Sequence, residues 1–156
     1  MQMPFKIRMW NNVPGNPDAC KMFYYSENVL ICLQQQARFY NGHKLSFDHI
    51  SAGSVFMCST GIISKNKKEV FDGDIVRVCF SIIENYGKKV KHNFTGVICF
   101  GNFESTERDG CYDFIIGWYI KTKDGNFSLG NFDDELRVIG NRYENPELYN
   151  NIITKK

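Results

Sequence analysis

No part of the chain sustains the apolar period of a long helix. Its apolar residues come in short runs rich in Phe, Tyr, Val and Ile, cut by Gly, Pro, Asn and Asp. Branched and aromatic side chains fit a pleated, half-buried surface, and turn residues end each run before it lengthens. This punctuation confines the chain to short strands joined by tight turns. The 13 Phe, 8 Tyr and 2 Trp press in the same direction.

Residues 5–10 alternate, with Phe5, Ile7 and Met9 on one side and Lys6, Arg8 and Trp10 on the other, as a half-buried strand does. Residues 11–18 hold Pro14, Gly15 and Pro17 and read as a loop. Residues 20–26 and 29–35 read as a hairpin around Glu27-Asn28, and residues 33–41 as a helical turn ending near Asn41-Gly42. Strands follow over 54–60 and 75–83. A long strand over 90–103 is expected to bend at Gly96 or Gly101, where a missing side chain permits a bulge. Residues 104–110 form a polar loop, and residues 111–122 are the most strand-like run in the chain. Asp124-Gly125 marks a hairpin turn. Near the end, Asn145-Pro146-Glu147 places a capping residue, a proline at the first helical position and an acid in the first turn, which predicts a helix over 145–152. The pattern is that of a mainly β protein. The expected form is one compact, small barrel-like or sandwich-like domain over 1–156, with a short C-terminal helix. The alternative is two β lobes, split near residue 72 or 85.

The start lacks the apolar core of a signal peptide, and no run is long enough to span a bilayer. The expectation is a cytoplasmic protein with no membrane partner. The 6 cysteines show no Cys-x-x-Cys pair and no nearby His, so a zinc site is not expected. Cys58, Cys79 and Cys99 sit in strand-like runs and read as buried, reduced thiols.

Catalytic motifs are absent. The G-x-S-x-G elbow and the G-x-x-x-x-G-K-[ST] phosphate loop do not occur. His43, His49 and His92 are the only histidines, and the first two flank a short polar stretch with Asp48. No catalytic residue, metal ligand or cofactor is assigned, and the protein is not expected to be an enzyme. Asp72-Gly73-Asp74 sets two carboxylates two apart, as for a hard cation, yet the same residues make a tight turn into a strand. Asp133-Asp134-Glu135 reads as a decorated turn in the same way.

Charge is nearly balanced at +2 but unevenly spread: residues 61–103 carry 7 basic and 4 acidic groups, and residues 104–147 carry 5 and 10. Lys65, Lys67 and Lys68 crowd one loop, Arg77 follows on a strand, and Lys88, Lys89 and Lys91 crowd the next turn. If the two hairpin ends lie together, these cations form one patch. Tyr86, His92 and Phe94 interleave with the second cluster, as in sites that combine a basic groove with stacking rings. Lysines at hairpin tips also keep sheet edges soluble. Trp10, Trp118 and Tyr119 are candidates for an aromatic anchor on a protein partner.

Three stretches carry a family resemblance. Residues 5–10 (FKIRMW), 56–76 (FMCSTGIISKNKKEVFDGDIV) and 136–148 (LRVIGNRYENPEL) resemble, in order, the YopX-like proteins of bacteriophages and prophages. Residues 81–129 show no such pattern. The resemblance implies a small, largely β accessory protein without assigned activity, in a bacterial host, and it brings no catalytic residues. Two positions depart from the family: Lys67 follows Asn66 where Gly is usual, and Ser64 stands where an acid is usual. Lys tolerates a left-handed backbone poorly, which implies a longer or looser tip. The expected role is binding, either to a host or phage protein or to another copy of itself. The alternative is nucleic-acid binding through Lys65, Lys67, Lys68, Arg77, Lys88, Lys89 and Lys91.

Overall fold

The structure is a computed structural model that describes residues 6–25, 29–32, 36–41, 44–49, 54–106 and 114–154. The chain is mainly β and divides into two compact units, residues 1–59 and 60–156. The two-lobe alternative is therefore the one realised, with its division well before residue 72. The region from 72 to 85 cannot be a boundary because it lies inside a continuous antiparallel hairpin.

The first unit holds β1 (Ile7–Asn11), β2 (Lys21–Tyr25), β3 (Val29–Cys32), β4 (Gln36–Asn41), β5 (Lys44–His49) and the start of β6 (Val55–Ile63). β1 is central, pairing antiparallel with β2 on one side and with β6 on the other. Two expectations are corrected here. β2 does not pair with β3; β3 joins β4 and β5 in a separate three-stranded sheet. Residues 36–41 are a strand rather than a helical turn, because partners on both sides satisfy their backbone groups. On β1 both faces are covered: Met9 and Arg8 are each buried, and Arg8 Nε donates to Met57 Sδ at 3.4 Å.

The second unit is built on a five-stranded antiparallel sheet ordered β11-β10-β9-β8-β12. Its strands are β8 (Asp74–Ile83), β9 (Lys89–Glu104), β10 (Phe114–Lys121), β11 (Asn126–Ser128) and β12 (Leu136–Asn141). The end of β6 and β7 (Glu69–Phe71) precede it, and α1 (Pro146–Ile153) closes it. One sheet face carries the main core: Val76 and Val78 of β8, Ile98 of β9, Ile120 of β10 and Leu136 of β12, with Val70 and Leu129 beside them. Phe80, Phe94, Phe127 and Phe132 extend it as a set of ring contacts 4.9–6.2 Å apart. His92 stacks on Phe80 at 5.5 Å, which places it in this aromatic layer. The other face receives α1, whose Ile152 packs with Ile75 and Val97 and whose Leu148, Tyr149 and Ile153 surround them.

Neither Gly96 nor Gly101 makes a bulge, since β9 keeps one register with both neighbours. Gly96 is required for space: a Cβ there would run into Ile120 Cγ2 and stand 2.8 Å from the Lys121 carbonyl oxygen. The bulge lies on β12 instead, where Val138 pairs Val76 and Gly140 pairs Ile75, leaving Ile139 as the extra residue.

Two turns lock this sheet. In the first, Gly73 takes φ 79° and the Phe71 N–H donates to Asp74 Oδ2 at 2.9 Å, so Asp72-Gly73-Asp74 is the tight turn from β7 into β8. In the second, Ser64 is buried, accepts from the Lys68 N–H at 3.1 Å and donates to Asn66 Oδ1 at 2.6 Å. Lys67 adopts φ 62°, so the tip is compact rather than loosened by the missing glycine. The loop then closes the outer edge of β12. Asn66 Nδ2 donates to the Val138 carbonyl at 2.8 Å, Asn66 Oδ1 accepts from the Val138 N–H at 3.1 Å, and the Lys65 N–H donates to the Leu136 carbonyl at 2.9 Å. One side chain thus imitates a neighbouring strand.

The C-terminal helix is where the sequence puts it, but its cap is not. The Asn145 side chain bonds no helix N–H; its Oδ1 accepts from the Asn141 N–H at 3.1 Å, and Asn141 Oδ1 accepts in turn from the Tyr143 and Glu144 N–H groups. The two asparagines tie the end of β12 to the helix start. The cysteine expectation also needs correction: Cys58 and Cys79 are exposed, because alternation turns them outward while Met57 and Val78 point inward.

Asn66→Ala removes both bonds to Val138 and strips the edge of β12, with an expected loss of about 1–3 kcal/mol. Gly96→Ala is expected to cost a similar ~1–3 kcal/mol by overpacking. Urea denaturation of each variant measures both values.

Candidate functional site

The long strand β9 exposes different sides along its length. On the core face its early residues are covered, but Phe100 is 60% exposed. Phe100 pairs Trp118 across the strands, ring centroids 5.0 Å apart, and the same face continues to Ile116 and Phe114, which are 76% and 84% exposed. Four large apolar residues therefore form one strip. Soluble proteins seldom leave such a patch without a use. The strip also adjoins an open edge: β11 pairs β10 only at Tyr119–Lys121, and among the described residues no strand pairs the outer side of Phe114–Trp118.

The helix face is divided. Its half near the Asp72-Gly73 turn lies under α1. In its other half Arg77, Cys79, Ser81, Ile83, Lys89 and Lys91 are exposed. Arg77 stands directly opposite Arg137 of β12 and, on its other side, opposite Thr95 of β9. Arg137 is the residue the sequence reading missed. It lies far along the chain in an acidic third, and only strand register brings it beside Arg77.

The predicted basic residues are only partly united. Lys65, Lys67 and Lys68 are exposed on the loop at the outer edge of β12, near Leu136 and hence level with Val78. Lys88, Lys89 and Lys91 cluster at the opposite end of β8, level with Ile83 and Ser81. Five residues of strand, about 17 Å, separate the two levels. The hairpin ends do not meet; Arg77 and Arg137 lie level with the first cluster only. At the far tip Tyr86 is fully exposed at φ 72°, a left-handed backbone rare for an aromatic residue.

The predicted aromatic anchor is dispersed. Trp10 belongs to the first unit and is half-buried. Trp118 and Tyr119 are neighbours on one strand and so face opposite sides; only Trp118 joins the exposed strip. Tyr119 is opposite Cys99 on the helix face, hydrogen-bonds it, and stacks on Phe103 at 4.6 Å. Asp72, Lys121 and Arg142 surround this pair. Arg142 itself lies 5.0 Å from the Tyr143 ring and 5.7 Å from the Tyr149 ring. Burial first, and the Asp72 carboxylate second, push the Cys99 thiol above its ordinary range. Burial first, and Cys99 second, raise Tyr119 likewise. Cys99 packs against Ile75, Val97 and Ile152, under the helix. Among the described residues no three His, Cys, Asp or Glu side chains gather as a metal group. No helix among them is long and apolar enough to cross a membrane. His43 lies outside the described residues, as does the side chain of His49.

Both raised groups hold their protons more tightly folded than unfolded. The stability they support is full below the ordinary thiol range and is lost as pH climbs through the folded values. Stability is therefore predicted to fall between about pH 7.5 and about pH 10.5, and to fall less in Cys99→Ala, as urea denaturation at the two ends measures. Iodoacetamide is predicted to modify Cys58 and Cys79 well before Cys99.

A family model described as YopX protein matches residues 17–150, which takes in the second and third of the stretches quoted above and omits the first. No curated protein matches the chain.

Proposed function

The chain belongs to the YopX protein family, and from that premise we propose that it is an accessory protein of phage or prophage origin, acting in the bacterial cytoplasm by association and not by catalysis. The observation that carries this reading is the strip of exposed Phe100, Ile116 and Phe114 with half-buried Trp118 among them, beside the open edge of β10. An unpaired strand edge offers a row of backbone donors and acceptors, and an apolar face next to it rewards whatever pairs there. The arrangement is self-complementary. If two copies of β10 pair antiparallel about Ile116, each Phe114 meets the other copy's Trp118 on one face. Aromatic cross-strand pairs of that kind each add roughly 0.2–1 kcal/mol beyond the backbone bonds. A two-fold contact of this sort closes on itself, so it gives a dimer and not a fibre. The first partner is thus another copy of the chain. The lack of the catalytic motifs sought in the sequence supports the non-enzymatic half of the reading.

Light scattering coupled to gel filtration tests this directly. The wild-type chain is predicted to run as a dimer and Ile116→Lys as a folded monomer with an unchanged far-ultraviolet dichroism spectrum. A wild-type monomer at high concentration would overturn the reading.

A further inference from the structure

The exposed half of the helix face is a second surface, on the opposite side of the sheet from the apolar strip and independent of it. Arg77 and Arg137 occupy directly opposed positions, where like charges repel and cost stability. Both are exposed, and among the described residues neither guanidinium has an ion-pair or hydrogen-bond partner. An anion held between them would remove that repulsion. Two guanidinium forks side by side suit the oxygens of a phosphodiester group. Thr95, next across from Arg77, adds a hydroxyl in the same row. We propose that this half of the sheet face, centred on Arg77 and Arg137, binds the backbone of a single-stranded nucleic acid.

Three further observations shape the choice of ligand. The row continues: Lys91 and Lys89 follow on β9, opposite Ser81 and Ile83, the first about 13 Å along the strand from Thr95. That extent suits a linear polyanion better than a single small anion. Beyond Lys89 the ring of Tyr86 stands free at the tip, where it offers a base a stacking surface. Finally, α1 rises from the same face only two residues from Arg77, where Ile152 covers Ile75. A helix layer stands about 10 Å above its sheet, so a flat bilayer is held off the arginine row while a flexible strand can lie in the step. Acids also border this path: Glu84 at the tip, and Glu135, whose carbonyl accepts from the Cys79 N–H, with Asp133 and Asp134 just before it.

Fluorescence anisotropy of a labelled oligothymidylate with the full chain tests the proposal. Binding is expected at low salt, with log affinity falling linearly against log salt. Arg77→Gln with Arg137→Gln is expected to weaken binding about tenfold and to lower the salt slope by about 0.7, the loss of one single-strand phosphate contact. Lys123→Gln, on the β10–β11 turn, serves as the charge control and should bind as the wild type does. Retained binding by the monomeric Ile116→Lys variant separates this site from the dimer surface. Dichroism spectra confirm that each variant is folded. No binding at low salt, a double variant that binds as the wild type does, or co-sedimentation with phosphatidylserine vesicles in place of oligonucleotide binding would each overturn it.

Discussion

A strand of 16 residues runs through the second unit, and the described residues of that unit cover it only in part. At about 3.3 Å per residue β9 spans about 50 Å, whereas an eight-residue helix spans about 12 Å. Covering must therefore be partial on both faces. The aromatic layer of Phe80, Phe94 and Phe132 shields the early half of β9 on one face, and α1 shields the middle on the other. What remains uncovered is set by this arithmetic: an apolar strip at one end of the core face and a polar, cationic field at the other end of the helix face. Both candidate surfaces are consequences of one mismatch in length.

That mismatch must be stabilised where the sheet would otherwise fray. The outer edge of β12 is the weak point, since it borders the bulge at Ile139 and carries core residues Leu136 and Val138. Asn66 fills this need by presenting an amide in place of a strand. Ser64 and the left-handed Lys67 hold Asn66 at the right height. The stretch from Ser59 to Val78, with its lysines and its Asp-Gly-Asp turn, is therefore chiefly an edge clamp followed by a tight turn. Its lysines are exposed because its uncharged residues do the structural binding.

Much of this was legible in the residues. Strand runs such as 75–83 and 111–122 advertise themselves through branched and aromatic side chains, and Asn145-Pro146-Glu147 announces the last helix. Pairing was not legible. Residues 20–26 and 29–35 look like a hairpin, yet Lys21–Tyr25 and Val29–Cys32 fall in different sheets, because partners are chosen by faces and edges that lie far apart in sequence. The bulge at Ile139 escaped notice for the same reason that Gly96 attracted it: a glycine can mark a bulge or a tight contact, and only the neighbour Ile120 decides which. The basic loops were visible as composition, but Arg137 entered the site through register alone. Of the three predicted aromatic anchors, Trp118 alone adjoins the exposed strip, itself half-buried, since strand alternation sends Tyr119 to the other face.

The claim on which the rest turns is that the uncovered end of β10 is a pairing edge. Hydrogen–deuterium exchange of those Phe114–Trp118 amides that point away from β9, followed at low and at high protein concentration, tests it most directly. The account predicts fast exchange in dilute solution and marked slowing as concentration rises, with Asp74–Val78 slow throughout. Exchange of those amides that is equally fast at both concentrations would contradict it.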